Sequence, residues 1–199
     1  MKTIGVTGPT GAGKTTVLKA LEHLGCVCVD CDALYHSLLE TSPALLGELT
    51  QRFGRSILNH QGRLERKALG EMVFSDPTSL ADLNAISHRH ILERCRALAQ
   101  AAREGNAKGL VFDAIALFES GLAKDCDVTL AVVAPEEVRV RRVMRRDAIS
   151  EPYARARVAA QKPNEYYVNL CDFTVYTDDS TIEEKLFQQV AQMFSCILC

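Results

Sequence analysis

Residues 8–15 read Gly-Pro-Thr-Gly-Ala-Gly-Lys-Thr and fit the pattern G-x-x-x-x-G-K-[ST]. The chemistry this spacing allows is the binding of a nucleoside triphosphate. Gly8, Gly11 and Gly13 free the main chain to wrap an anion, so that consecutive N–H groups converge on it. Lys14 would reach the terminal phosphates, and the Thr15 hydroxyl would ligate Mg²⁺. Ala12 and Thr16 complete a segment whose amides open a helix and add its positive end. A glycine-rich turn that binds nothing is the alternative, and only context separates the two: the segment must leave a strand and enter a helix.

The flanking residues supply that context. Lys2–Thr7 is a short β-branched run that predicts a buried strand. Lys14 to Leu24 carries Val17, Leu18, Leu21 and Leu24 at helical spacing, with Gly25 where a C-terminal cap belongs. Val27–Asp30 reads as a second strand, expected beside the first in the simplest topology. Asp32 can cap a helix through Leu39, and the stretch from Pro43 to Arg103 is helical, with breaks near Gly54, Asn59–Gly62 and Asp76-Pro77. Gly109–Asp113 and Asp127–Val133 are further strands, separated by a turn around Gly121–Lys124. Pro135 to Arg146 is a basic helix, and Ser150 can cap another that runs to about Gln161. Phe173–Tyr176 is a last short strand. Ser180-Thr-Ile-Glu183 has capping-box spacing and opens a closing helix through Leu186, Val190 and Phe194. Strands alternating with helices imply an α/β fold: a parallel sheet flanked by helices, with ligands at the carboxyl ends of the strands.

Composition narrows the partners. In 199 residues, 47% hydrophobic and 24% charged, a net charge of −2 provides no global basic field for nucleic acid or an anionic membrane. No apolar run approaches the roughly 20 residues that cross a bilayer. Eight cysteines include the cluster Cys26, Cys28 and Cys31 and the terminal pair Cys196 and Cys199, but no second Cys-x-x-Cys stands at zinc-finger distance. Free thiols in a reducing compartment are the expectation, and with them a cytoplasmic protein.

Which triphosphate-binding protein this is depends on the remaining chemistry. A regulatory GTPase needs Asn-Lys-x-Asp, which does not occur here. A motor or assembly switch carries coupling domains that this length scarcely allows. A small-molecule kinase needs an acceptor pocket, a carboxylate to take the hydroxyl proton and mobile arginines for the transferring group. Asp30 and Asp32 stand at the end of the second strand; Asp32 is the candidate base, against the alternative that it only caps the next helix. Asp113 is either a second carboxylate that orients Mg²⁺ through water or a solvated strand end. Among Arg139, Arg141, Arg142, Arg145, Arg146, Arg155 and Arg157, most are expected to form a solvated basic face, although Arg142 and Arg146 lie four apart on one face of their helix. By composition alone, Leu117-Phe118 reads as core. A different small nucleotide or metabolite kinase, or a non-catalytic ATP-binding switch, remains an alternative.

The segments Gly8–Thr16, Val29-Asp30-Cys31-Asp32, Asp113–Glu119, Arg142–Asp147, Ala156–Gln161 and Asp172–Val175 together resemble, in order and spacing, the dephospho-CoA kinase family over essentially the whole chain. The resemblance implies a three-layer αβα P-loop kinase fold with a parallel five-stranded sheet. Its single domain would comprise a core of 1–30, 105–135 and 165–199, a helical substrate cap at about 32–104 and a small lid at about 142–163. The implied reaction uses ATP and Mg²⁺ to phosphorylate the 3′-hydroxyl of the ribose of dephospho-CoA, the last step of coenzyme A synthesis. The implied catalytic groups are Asp32 as base, Lys14 and Arg146. ATP would meet Gly8, Gly11, Ala12, Gly13, Lys14, Thr15, Thr16 and Arg142, with Arg142 near the adenine or ribose. The acceptor would meet Asp32, Leu117, Phe118, Glu119 and Arg157, with Arg146 and Arg157 closing over the phosphates; Thr15 would be the metal ligand. The implied partners are these small molecules, with no nucleic acid and no membrane, for a monomer or weak homo-oligomer. The sequence departs from the family pattern in four places. His88 is followed by Arg89 rather than proline, Ile115 stands where proline is common, His36 replaces an arginine, and Thr177 an asparagine.

Overall fold

The computed structural model describes residues 1–180 and 183–198. The chain divides into two compact units, Met1–Val29 with Ala99–Cys199, and Asp30–Leu98. Five strands form one parallel sheet: β1 (Lys2–Thr7), β2 (Cys26–Asp30), β3 (Gly109–Asp113), β4 (Val128–Val133) and β5 (Phe173–Tyr176), in the order β2-β3-β1-β4-β5. Ile4 pairs with Val111 on one side and Val128 on the other, and Val6 with Asp113 and Leu130. β2 is therefore not beside β1, as the simplest topology would have it; β3 lies between them. Burial explains the order. Leu110, Val111 and Phe112 are all buried and need neighbours on both sides, whereas Val27 of β2 is 46% exposed and suits an edge.

Helices α1 (Lys14–His23) and α9 (Glu183–Leu198) cover one face of the sheet. Val17, Ala20 and Leu21 meet Leu186, Val190 and Phe194 over Ile4, Val111, Leu130 and Val175. Each large side chain buried there stabilises the fold by roughly 1.5–3 kcal/mol. The capping box expected at Ser180–Glu183 includes residues 181 and 182, which lie outside the described residues. The basic helix is α6 (Glu136–Asp147), followed by α7 (Glu151–Ala159). Ser150 stands at the N-terminus of α7 but makes no side-chain capping bond. The sequence reading did not anticipate α8 (Asn164–Leu170), a helix of 7 residues entered from Pro163, whose Tyr167 packs on Ala131 and Val133.

The second unit holds α2 (Cys31–Thr41), α3 (Pro43–Phe53), α4 (Arg66–Phe74) and most of α5 (Pro77–Glu104). Its own core joins Leu39, Leu45, Leu49, Phe53, Ile57, Leu69 and Val73. Ser42 caps α3 by accepting from Leu45 N at 3.2 Å, with Pro43 in the first helical turn. At α2 the cap is Asp30, not Asp32: its Oδ1 accepts from the amides of Asp32 and Ala33, each at 2.9 Å. Among the described residues no helix is long and apolar enough to cross a membrane.

Candidate active site

β1 runs straight into the glycine-rich loop, and the loop's path is set by how closely it is packed. Gly8 and Gly11 have φ of +146° and +77°, and a Cβ on Gly8 would lie 2.0 Å from the carbonyl oxygen of Val132. A Cβ on Gly11 would lie 2.7 Å from the Arg139 carbonyl oxygen. The loop therefore rests directly on the backbones of β4 and α6. Gly13, itself left-handed, precedes α1 and, having no side chain, makes no capping bond to the first amides of that helix. Lys14 folds back and donates from Nζ to Gly8 O at 2.8 Å. Thr15 is exposed on the first turn of α1 and Thr16 half-buried, while Ala12 is buried. In Gly11→Ala the added methyl meets both a left-handed φ and a fixed carbonyl. Its expected cost is about 1–2 kcal/mol of stability or more, together with weakened ATP affinity. Denaturant unfolding and an ATP titration check this, and wild-type values in both would show that the loop does not take this path.

The arginines of α6 divide by face. Arg139, Arg142 and Arg146 follow at intervals of three and four and reach the loop. Arg139, expected among the solvated basic residues, is instead 4% exposed and donates from Nε to Thr10 O at 3.0 Å. Burial pulls its pKa below the usual arginine value, and its buried Nη2 has no hydrogen-bond partner. Arg142 donates from Nη1 to Gly11 O at 3.2 Å and to Thr177 Oγ1 at 2.9 Å, and from Nη2 to Asp178 O at 2.7 Å. Thr177 in turn donates to Ala12 O at 2.6 Å, so the residue after β5, a departure from the family pattern, binds the loop. Arg146 brings Nη2 to 3.5 Å from Thr10 Oγ1. Gln161, just beyond α7, accepts from Thr10 N at 2.6 Å. Arg141 pairs with Asp179, and Arg155 with Glu137 and Glu151, all at the surface. Arg139 and Gln161 both bond Thr10 of the loop, a contact the sequence does not assign to either. The three-and-four spacing with Arg142 and Arg146 was the available signal for Arg139.

On the other side of β1, Asp113 ends β3 half-buried, and Ala114 N donates to Val6 O at 3.0 Å. Ile115 is exposed. Leu117 is fully buried: its Cδ2 would lie 2.8 Å from a Cβ on Gly5, which makes it a core residue packed under β1. Phe118 is half-buried and Glu119 exposed. Glu119 accepts from the hydroxyl of Tyr166 on α8 at 2.9 Å. Loss of solvent around the phenol, with Glu119 beside it, pushes the Tyr166 pKa up to about 12. Burial likewise raises the Cys28 thiol to about 12 and Cys26 to about 11, so both are protonated and poorly nucleophilic at neutral pH.

Gly8 to Thr16, Arg142, Arg146, Arg157, Asp113 and Glu119 all belong to the first unit, where Arg142 and Arg146 reach the loop and Arg157 meets Arg146 through Asp147. Asp32 belongs to the second, exposed on the first turn of α2. Near it in sequence, Tyr35 stacks on His36 with ring centroids 6.0 Å apart and accepts from Ser87 Oγ at 3.1 Å. His88 is half-buried on α5.

Comparison with known proteins gives the family and the fold. A family model described as dephospho-CoA kinase matches residues 2–184. The dephospho-CoA kinase of Thermobifida fusca (strain YX) is 37% identical over 194 residues, covering 98% of this chain and 95% of that one. A solved structure from Thermus thermophilus has a TM-score of 0.79 at 32% identity and covers 100% of this chain and 98% of that chain. Dephospho-CoA kinase from Campylobacter jejuni, at 24% identity, shares the fold with a TM-score of 0.69 over 98% of this chain and 96% of that chain. The match runs through the phosphate loop, the arginine helix and the strands that carry them, and the chain belongs to the dephospho-CoA kinase family.

Proposed function

We propose that this enzyme transfers the terminal phosphoryl group of ATP to the 3′-hydroxyl of the ribose of dephospho-CoA, giving coenzyme A and ADP. The observation that carries the reading is the loop Gly8–Thr16, with Lys14 on its rim and the Arg139, Arg142 and Arg146 face of α6 bonded to its carbonyls or hydroxyl. Main-chain amides and the open end of α1 hold the phosphates, Lys14 leaves Gly8 O for the phosphate oxygens, and Arg146 and Arg157 offset the charge on the group in flight. Asp32 takes the proton from the attacking hydroxyl. Glu119 and Phe118 contact the acceptor, whereas the buried position of Leu117 supports a role in shaping the segment from beneath.

Mg²⁺ fits the groups present. It is a hard cation that takes oxygen ligands, and the exposed Thr15 hydroxyl would bind it directly. The half-buried Asp113, whose register partner Val6 lies two residues before Gly8, would orient it through water. When bound, the ion neutralises charge on the phosphate oxygens. The reading places the enzyme in the cytoplasm, where ATP is made and free thiols persist, as a monomer or weak homo-oligomer.

ATP offered in parallel with dephospho-CoA, adenosine, AMP and shikimate tests the assignment. Rapid ADP release is expected with dephospho-CoA alone. Rapid release with another acceptor identifies a different metabolite kinase, and ATP binding without turnover on any acceptor identifies a non-catalytic switch; either result overturns the assignment.

A further inference from the structure

We propose that Asp147 is a positioning residue for phosphoryl transfer, a single carboxylate that holds Arg146 and Arg157 together and so sets where both guanidinium groups meet the triphosphate. The inference rests on the reading above, in which these two arginines close over the phosphates. Asp147 is the last residue of α6, and Arg157 lies near the end of α7. Between them Ala148 turns the chain with a left-handed φ of 51°, bringing the second helix back to the carboxylate. Oδ1 of Asp147 accepts from Arg146 Nε at 2.7 Å, and Oδ2 accepts from Arg146 Nη2 at 2.9 Å and from Arg157 Nη1 at 2.7 Å.

Two cations converging on one place repel each other unless an anion lies between them. Asp147 supplies that anion and also fixes geometry, because it grips Arg146 side-on by two donors and leaves the Nη1 edge of the guanidinium for another anion. The same Arg146 is the one that approaches Thr10 Oγ1 at the tip of the phosphate loop. The hydrogen bonds from Arg146, reinforced by Arg157, hold the Asp147 carboxyl below the usual carboxylate range, so it stays ionised wherever the enzyme is assayed. Arg155, also on α7, pairs with Glu137 and Glu151 at the surface. The carboxylate of Asp147 therefore selects among the α7 arginines the one that joins Arg146.

The test compares the full-length wild type with Asp147→Ala, Asp147→Asn, Arg146→Ala and the Arg146→Ala/Asp147→Ala double variant, assayed with ATP and dephospho-CoA. Asp147→Ala is expected to lower kcat by ~10-fold while KM for ATP changes by less than about threefold, because the loss is of orientation in the transition state. Asp147→Asn keeps one acceptor without the charge and should fall between Asp147→Ala and wild type. Because Asp147 acts through Arg146 and also holds Arg157, the double variant is expected to turn over more slowly than Arg146→Ala by clearly less than the ~10-fold that Asp147→Ala costs alone. Wild-type kcat in Asp147→Ala, losses that multiply in the double variant, or a lowered melting temperature with kcat per folded molecule unchanged would each overturn the proposal. A wild type without acceptor-dependent ADP release would remove the parent reading and this one together. An active wild type with indifferent variants removes only this one.

Discussion

Lys14→Ala is expected to lower kcat/KM for ATP by ~10³-fold or more, the size of effect seen when a fixed donor to developing phosphoryl or oxyanion charge is deleted, with ATP affinity falling alongside. Lys14 is the one cationic side chain within the phosphate loop itself, and its ammonium lies 2.8 Å from Gly8 O, already over the bed that the glycines shape. In the proposed reaction it exchanges one oxygen partner for another when phosphate arrives, so little chain ordering has to accompany binding. The truncation leaves the loop's glycine conformations and its anchors to Arg139, Arg142 and Gln161 in place. The variant should therefore fold normally, and the deficit should appear in both steady-state kinetics and a direct ATP titration. Near-normal turnover in a folded variant would mean that the loop does not hold ATP in the way argued.

Asp32→Asn should lower kcat by ~10²-fold or more with ATP affinity nearly unchanged, because the amide preserves shape but cannot accept the hydroxyl proton. The structure sharpens this prediction. Capping of α2 is performed by Asp30, whose Oδ1 takes the amides of Asp32 and Ala33. Replacing Asp32 therefore does not remove the cap, and a change in activity cannot be assigned to a frayed helix. Unfolding of the variant monitored by circular dichroism gives the control. Wild-type turnover in Asp32→Asn would dismiss Asp32 as the base.

The comparison between the two aspartates shows what local sequence can and cannot resolve. Strand, loop and helix around Gly8–Thr16 were legible because the signals are short-range: a β-branched run, obligatory glycines and an apolar stripe at helical spacing. The cap was missed by two residues because Asp30 and Asp32 are both good capping residues, and only the backbone decides between them. The sheet order was not legible because strand neighbours are chosen by non-local burial, and the half-exposed Val27 marks an edge only once the sheet is assembled. α8 spans just 7 residues, too few for a period to register. The burial of Arg139 was not legible because arginine is nearly always at the surface; here its Nε finds the Thr10 carbonyl. For Leu117 composition points to the core and the family resemblance to the acceptor; the side chain is fully buried beneath Gly5.

The bonding of Arg142 has a consequence for which nucleotides this enzyme accepts. Its Nη1 is shared by Gly11 O and Thr177 Oγ1, its Nη2 donates to Asp178 O and its Nε faces Asp179 Oδ1 at 3.8 Å, so most of the rim of the guanidinium is turned to the protein itself. In the reading that seats the base against Arg142, what remains to greet it is the flat face of the cation, which stacks on any aromatic ring. A plane of that kind does not tell adenine from guanine. In that reading, discrimination between the purines falls to groups that read the edge of the ring, and changing Arg142 is expected to alter how firmly a base is held more than which base is preferred.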